Sequence, residues 1–265
     1  MSDIIRVKNV IERLQQSFPE DAAYEWDNPG LLAGRFDAPV SRIFVTLDVT
    51  DRTLEEAAAW NADLILSHHP LIFGSIRSVN DGDLVGRRLV AMIEKGIAYY
   101  AMHTNYDVCR MADLNAQQLN LQDAEVLEQT GERNGAAEGI GRVGLLPEEM
   151  TLEELAAFVR EQMKLPHVVV YGDRSRKVRR AAVSGGSGKS MTGFALEKGA
   201  EVLITGDIDH HTALDAVADG LCIIDAGHYG TEYCFIDDIV HLVREAFPEC
   251  AVKGAEIVHP GTVLS

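Results

Sequence analysis

The chain has 265 residues, of which 46% are hydrophobic, so it can bury the core of one large or two medium globular domains. Its formal net charge of −17 argues against a protein that follows the phosphates of duplex nucleic acid, because that class needs a face lined with Lys and Arg. No stretch approaches the roughly 18 apolar residues of a membrane span, and the charged start lacks the apolar core of a secretory signal. We therefore expect a soluble cytoplasmic protein without membrane partners.

Apolar spacing predicts alternating helices and strands in the first half of the chain. Residues 7–18 keep the spacing of an amphipathic helix, and a second helical stretch at 83–95 ends at Gly96. Three short strand-like runs accompany these helices, at residues 42–47, 63–67 and 97–102. Such alternation is typical of βαβ units, which build parallel sheets and give an α/β fold.

The same alternation returns in the second half and predicts an internal duplication. Strand-like runs lie at residues 179–186, 200–207 and 221–230. Val45, Ala62 and Ser67 match Val183, Ala200 and Thr205 at one constant offset of 138 residues, which falls to 124–125 after the loop at 74–82. We expect two similar α/β lobes, residues 1–124 and 125–265, with the boundary in the Gly- and Glu-rich stretch at 123–139.

Two histidine–carboxylate pairs follow matching strands of the two halves. The segment "HTNYD" carries His103 and Asp107, and the segment "HYGTE" carries His228 and Glu232. If each pair lies on a helical turn, residues four apart point the same way, so the imidazole and the carboxylate can converge on one ion. One such pair is a weak signal, whereas two at matching places predict a metal centre.

The segment "SHHP" adds His68 and His69 at the end of a strand. Consecutive residues of a strand project to opposite sides, and Pro70 favours an extended backbone at His69. These two imidazoles are therefore better placed to bind two different ions than to chelate one. Imidazole and carboxylate donors without thiolate suit Zn, Fe, Mn or Co and argue only against soft copper(I).

Two further segments have more than one interpretation. His210 and His211 open a helix behind Asp209, a predicted N-cap, and suit proton transfer or support of the metal ligands, with direct ligation or a structural role as alternatives. The segment "SGGSGKS" is similar to a phosphate-binding loop, but Val183 stands where the strict motif requires glycine. We interpret it as a tight turn, with a contact to a substrate phosphate as the alternative.

Five segments together carry a resemblance to a known family. They are "EWDNPGLLAG", "LILSHHPLIF", "HTNYD", "TGDIDHH" and "GHYGTE", in this order over about 210 residues. The chain resembles the Nif three-like dinuclear-metal family, also called the GTP cyclohydrolase type-two homologues. The resemblance implies a duplicated α/β fold whose lobes are related by a pseudo-dyad, with two divalent ions per chain in the cleft between them. It also implies a toroidal homohexamer and the short form of the family, without an inserted domain.

The resemblance also implies roles for particular residues. The family's metal ligands fall on His68, His69, Asp107, His228 and Glu232, with Glu232 bridging both ions. His103 lies close by, as a ligand or as a residue that orients one. Many relatives have glutamate where this chain has Asp207, so the role of Asp207 stays open. Trp26, Asp27 and Asn28 match the family pattern, and we interpret them as supporting the fold.

A pair of divalent ions points to hydrolysis, because the ions can share a water molecule and lower its pKa toward neutrality. The candidates that pass the proton to the leaving group are His103, His210 and His211. We expect a small-molecule substrate, with ring opening of GTP or hydrolysis of another nucleotide or phosphoester as the candidate reactions. The alternative is a protein without catalytic activity that stores, delivers or senses metal ions.

Overall fold

The computed structural model describes residues 4–264, which form two compact units. Unit 1 contains residues 4–106 together with Cys234–Ile257, and unit 2 contains Asp107–Tyr233 together with residues 258–264. The predicted lobe boundary at residue 124 does not coincide with this division. The chain returns to unit 1 after Tyr233, because its last strand, Ala251–Gly254, pairs with the strand that begins at Arg42. Within the described chain, no helix has both the length and the apolar character needed to cross a bilayer.

Unit 1 is built on a five-stranded sheet with the order β1-β4-β3-β2-β11. Its strands are β1 (Gly30–Ala33), β2 (Arg42–Thr46), β3 (Leu64–Ser67), β4 (Ala98–Ala101) and β11 (Ala251–Gly254). Its helices are α1 (Val7–Gln15), α2 (Asp51–Ala59), α3 (Leu84–Glu94), α4 (Thr104–Tyr106) and α10 (Cys234–Ala246), with a 3-10 turn at Glu20–Ala22. Strands β11, β2, β3 and β4 are parallel, and β1 is antiparallel to β4 at the edge.

The predicted elements of unit 1 are confirmed, and local chemistry explains where they begin. Helix α2 begins behind Thr50, whose hydroxyl accepts a hydrogen bond from the backbone N–H of Thr53. Helix α3 begins behind Asp83, whose carboxylate accepts a hydrogen bond from the backbone N–H of Gly86. Every residue of β3 and of β4 is buried, as expected for parallel strands that are covered on both faces. The carboxyl ends of these two strands position the histidines described below.

Unit 2 is built on a six-stranded sheet with the order β5-β6-β8-β9-β10-β7. Its strands are β5 (Gln122–Arg133), β6 (Ala136–Thr151), β7 (Val169–Tyr171), β8 (Lys177–Ser187), β9 (Val202–Gly206) and β10 (Cys222–Asp225). Its helices are a π-helical turn at Asp107–Met111, α5 (Ala112–Gln118), α6 (Leu152–Gln162), α7 (Met191–Glu197), α8 (His210–Ala218) and α9 (His228–Glu232). Strands β8, β9 and β10 are parallel, whereas β7 is antiparallel to β10.

Helices cover both faces of the unit 2 sheet. Val202 and Ile204 of β9 pack into one apolar cluster together with residues of α5 and α6. Leu203, which lies between them, packs into a second cluster together with residues of α7 and α8. This alternation follows from the two-residue period of a strand, and it gives unit 2 three layers around its central strands.

A long antiparallel hairpin occupies the stretch in which we predicted the lobe boundary. Strands β5 and β6 pair from Gln122 opposite Leu145 to Arg133 opposite Ala136. The hairpin turns at Asn134 and Gly135, both of which have positive φ, as a tight two-residue turn between strands requires. The Asn-Gly dipeptide is therefore the signal for this hairpin. Most of β5 is exposed and polar, so the apolar pattern gave no indication of a strand.

Candidate metal centre

The end of β3 holds His68 and His69 in a rigid backbone. The parallel ladder continues past Ser67, because the N–H of His68 donates to Thr46 O at 3.3 Å and the N–H of His69 donates to Leu47 O at 3.0 Å. The hydroxyl of Ser67 contacts the carbonyl oxygen of His69 at 2.8 Å. Both imidazoles are thus attached to a backbone that the sheet fixes.

Three histidines of unit 1 form a cluster that can hold a metal ion. His103 follows β4 by two residues, and one ligand atom from each of His68, His69 and His103 lies within 4.8 Å of the other two. His68 is fully buried, whereas the side chains of His69 and His103 are 18% and 12% exposed. The cluster therefore combines a shielded donor with two that solvent can reach.

The Nδ1 atom of each of these histidines has an oxygen partner. The Nδ1 of His68 lies 2.9 Å from Met102 O, that of His69 lies 2.8 Å from Asp48 Oδ1, and that of His103 lies 2.8 Å from Asp27 Oδ1. An oxygen acceptor at Nδ1 favours the tautomer that carries its proton there, which leaves Nε2 with a lone pair for a metal ion. Carboxylate or carbonyl partners of this kind also raise the basicity of a ligating imidazole.

Asp27 is the more buried of the two carboxylates that make these contacts, since the side chain of Asp48 is 45% exposed. Its side chain is 0% exposed and also accepts hydrogen bonds from the backbone N–H and the hydroxyl of Thr104, at 2.9 and 2.5 Å. Burial by itself would raise the pKa of Asp27, but the hydrogen bonds from His103 and Thr104 outweigh it and lower the pKa to about 2. Asp27 is therefore a carboxylate that holds His103, a role that the sequence pattern did not indicate.

In unit 2, His228 and Glu232 lie on the helical turn that their spacing predicts. Helix α9 begins behind Gly227, whose φ of 77° suits glycine, and His228 Nε2 lies 3.1 Å from Glu232 Oε2. The Nδ1 of His228 contacts Asp207 Oδ2 at 2.8 Å. His228 thus repeats the arrangement of unit 1, with an oxygen at Nδ1 and with Nε2 turned toward another donor.

The glycines of the segment at 184–190 are explained by close packing. A Cβ at Gly186 would lie 2.4 Å from Glu232 Oε1, and a Cβ at Gly188 would lie 2.1 Å from the hydroxyl oxygen of Thr205. Glu232 itself is 4% exposed. The interpretation of the whole segment as a tight turn was wrong, because residues 184–187 form the end of β8 and only Lys189 and Ser190 lie in a turn. The backbone of β8 therefore lies against the buried carboxylate of Glu232.

The remaining candidates of unit 2 lie at the starts of helical elements. Asp107 is partly buried and opens the π-helical turn at Asp107–Met111, a distortion that is frequent at functional sites. Asp209 caps α8 as predicted, since its side chain accepts hydrogen bonds from the backbone N–H groups of His211 and Thr212. The side chains of His210 and His211 are exposed. They stay candidates for proton transfer with solvent access.

The family model described as Duf34/NIF3 (NGG1p interacting factor 3) matches residues 5–259 of this chain. The chain belongs to the Duf34/NIF3 family. It is 35% identical over 242 residues to a GTP cyclohydrolase 1 type 2 homolog of Streptococcus pneumoniae, with 89% of each protein covered. A homolog of the same description from Nostoc is 36% identical over 208 residues, which cover 77% of this chain and 78% of the relative.

Solved structures of NIF3 relatives have the same fold. A Bacillus cereus protein related to NIF3 superposes with a TM-score of 0.93 at 25% identity, over 99% of this chain and 100% of that chain. Reduced HcgD from Methanocaldococcus jannaschii superposes with a TM-score of 0.82 at 26% identity, over 97% of this chain and 100% of that chain. The predicted family and the predicted mixed α/β fold with two sheets are thereby confirmed.

Sequence reasoning missed the acidic residues that orient the histidines of this NIF3-family chain. Asp48 contacts His69 from 21 residues away, and Asp27 contacts His103 from 76 residues away. Asp207, whose role the sequence left open, contacts His228 from 21 residues away. The only available signal for Asp27 was its place in the "EWDNPG" segment of the family resemblance, because neither spacing nor periodicity relates residues this far apart.

Proposed function

We propose that this NIF3-family protein is a dinuclear metal-dependent hydrolase of small molecules, with nucleotides and phosphoesters as the first candidate substrates. The observation that carries the proposal is that four histidines have an oxygen partner at Nδ1. They are His68, His69, His103 and His228. A histidine whose Nδ1 proton is held in this way presents Nε2 as a ready metal ligand or proton acceptor. Three of these imidazoles also converge, since one ligand atom from each of His68, His69 and His103 lies within 4.8 Å of the other two.

The proposed ligands of two divalent ions are the residues that the family resemblance implies. They are His68, His69, Asp107, His228 and Glu232, with Glu232 bridging the two ions. This donor set suits Zn, Fe, Mn or Co, because it combines imidazole with carboxylate and contains no thiolate. Its two carboxylates would offset part of the charge of two cations.

Bound divalent ions would supply Lewis acidity and a hydroxide nucleophile near neutral pH. The protein's own groups then have to move protons and hold the ligands. Asp27 keeps the Nδ1 proton of His103 in place, so His103 Nε2 is available either to bind an ion or to accept a proton. His210 and His211, which are exposed, can exchange protons with bulk water and deliver one to a leaving group.

Metal stoichiometry tests the proposal directly. Protein that is reconstituted separately with Zn, Mn, Fe and Co should bind about two ions per chain when elemental analysis is combined with protein quantification. Each loaded form is then assayed against nucleotides, including GTP, and against simple phosphoesters. Saturation below one ion per chain contradicts the dinuclear site. Two bound ions per chain without turnover of any substrate would instead favour a protein that stores, delivers or senses metal ions.

A further inference from the structure

Three aromatic side chains form a row at the surface of unit 1. The rings of Tyr24 and Trp26 are 5.6 Å apart and 17° from parallel, and those of Trp26 and Phe73 are 6.4 Å apart and 16° from parallel. Trp26 is 60% exposed and Phe73 is 52% exposed. We call Tyr24, Trp26 and Phe73 the aromatic row. Large apolar side chains that share an exposed surface commonly mark a binding site.

The aromatic row lies against the histidine cluster. The centroid of the His103 ring lies 6.0 Å from that of Trp26 and 5.4 Å from that of Phe73. The interplanar angles are 73° and 76°, so the rings are close to perpendicular. A planar molecule on this row would therefore lie next to His103, which the proposed function places among the reacting groups. Exposure alone would not carry this conclusion, since Phe36 of the same unit is 57% exposed.

Hydrogen bonds link the aromatic row to the cluster of His68, His69 and His103. Asp27, which follows Trp26 directly, accepts the hydrogen bond from His103 Nδ1. Asn28 donates from its side-chain amide to the carbonyl oxygen of Ile72, the residue before Phe73, at 2.7 Å. One short segment thus positions Trp26, the carboxylate partner of His103 and the backbone beside Phe73. The aromatic row and the histidine cluster are therefore connected through this segment.

We propose that the aromatic row binds a planar unsaturated ring of the substrate by stacking and so selects substrates that carry such a ring. This inference rests on the proposed function, because it names the substrate class for that hydrolytic site. Stacking on aromatic side chains depends on the face of the ring and tolerates different bases. The three side chains of the row carry no charge at neutral pH, so they recognise the ring of a ligand and leave its phosphates to other groups.

A single-tryptophan protein tests the stacking directly. The chain has two tryptophans, and Trp60→Phe leaves Trp26 as the only one. The fluorescence of Trp26 is followed during titrations with guanosine, with adenosine and with ribose 5-phosphate, in protein of measured metal content. Both nucleosides should quench Trp26 saturably, whereas ribose 5-phosphate should not. Absence of saturable quenching by the nucleosides, or equal quenching by ribose 5-phosphate, overturns the inference.

Calorimetric titrations of variants then measure how much the aromatic row contributes to the affinity for nucleosides. Trp26→Leu and Phe73→Leu should each weaken nucleoside binding roughly tenfold or more, as expected when an aromatic stacking partner is lost. Trp26→Phe keeps a ring face and should restore most of the affinity. Phe36→Leu is the matched control, because it removes a ring of similar exposure, and it should leave the affinity unchanged.

The outcomes separate this inference from the proposed function. If the wild-type protein binds two ions and Trp26→Leu binds nucleosides as well as the wild type does, the inference is wrong and the hydrolase proposal stands. If nucleoside binding depends on Trp26 while fewer than one ion binds, the dinuclear proposal fails and the stacking site stands. If Trp26→Leu changes the mass of the native assembly and leaves the affinity unchanged, the row is a subunit contact and the inference is overturned.

Discussion

Units 1 and 2 share a strand arrangement and differ in the groups that they present. In each unit three parallel strands occur in the same lateral order, β4-β3-β2 in unit 1 and β10-β9-β8 in unit 2. An antiparallel strand pairs with the first strand of each of these orders, β1 with β4 and β7 with β10. This correspondence supports the proposal that the two units descend from one ancestral unit. The sheets differ beyond β2 and β8, where β11 and the β5–β6 hairpin are added.

The same backbone position has different chemistry in the two units. At the offset that matches Ser67 with Thr205, His69 corresponds to Asp207. His69 is itself a candidate ligand and is oriented by Asp48, whereas Asp207 orients His228. The position after the strand therefore carries a candidate ligand in one unit and the hydrogen-bond partner of a candidate ligand in the other.

The largest effect should come from removing the charge that unit 2 supplies. Glu232→Gln keeps the volume of the side chain but loses a buried negative charge, so affinity for both ions should fall by more than the roughly 10–100-fold that is typical when a supporting residue is lost. Asp107→Asn should mainly lower the affinity for one of the two ions. Competition titrations with a metal chelator measure both affinities. Equal losses from the two variants would contradict the bridging role of Glu232.

The second prediction concerns a difference between the units outside the proposed ligands. The same offset matches His210 and His211 of unit 2 with Ile72 and Phe73 of unit 1, so only unit 2 has imidazoles there. Replacing both histidines by alanine should leave the metal content near two and lower hydrolysis by roughly 100-fold, which is typical of a positioned proton donor. Loss of metal from this double variant would show that the two residues are ligands. Unchanged turnover would leave His103 as the proton carrier.

The carboxylates that orient histidines in the two units should differ in their effect on metal affinity. The side chain of Asp27 is 0% exposed, whereas that of Asp207 is 60% exposed, where water and salt screen its charge. Asp27→Asn should therefore lower metal affinity by about 10–100-fold, and Asp207→Asn by about tenfold or less. Chelator competition at one ionic strength compares them, with urea unfolding as a check on folding. A larger effect at Asp207 would mean that burial does not decide the strength of this support.

The smallest effect should come from the glycine beside Glu232. Gly186 and Gly199 have φ values of +64° and +68°, but a Cβ meets Glu232 only at Gly186, with open space at Gly199. Alanine at either position should cost about 1–2 kcal/mol in the free energy of unfolding, because both require the left-handed conformation. Gly186→Ala should in addition displace the Glu232 carboxylate and weaken metal binding several-fold. Identical metal affinity in the two variants would contradict this contact.

The sequence by itself determined the buried strands and the places of the histidines. Strands such as β3 and β9 are short apolar runs, so their burial is a local property that composition reveals. The pairing of His228 with Glu232 was predictable for the same reason, since a helical turn fixes the geometry of residues four apart. The five family segments added the proposed ligands, because their order is more specific than any one of them.

Only the tertiary structure decided which distant residues meet. The contact of Asp27 with His103 and the pairing of β11 with β2 join segments that no local periodicity relates. The polar β5 strand is a strand because β6 supplies its hydrogen-bond partners, which its own composition does not indicate. Likewise, Trp26 is hydrophobic but 60% exposed in the fold, whereas the polar side chains of its neighbours Asp27 and Asn28 make hydrogen bonds to His103 and Ile72. Burial and pairing over long sequence distances depend on the packing of the whole unit, and so they could not be read from any single segment.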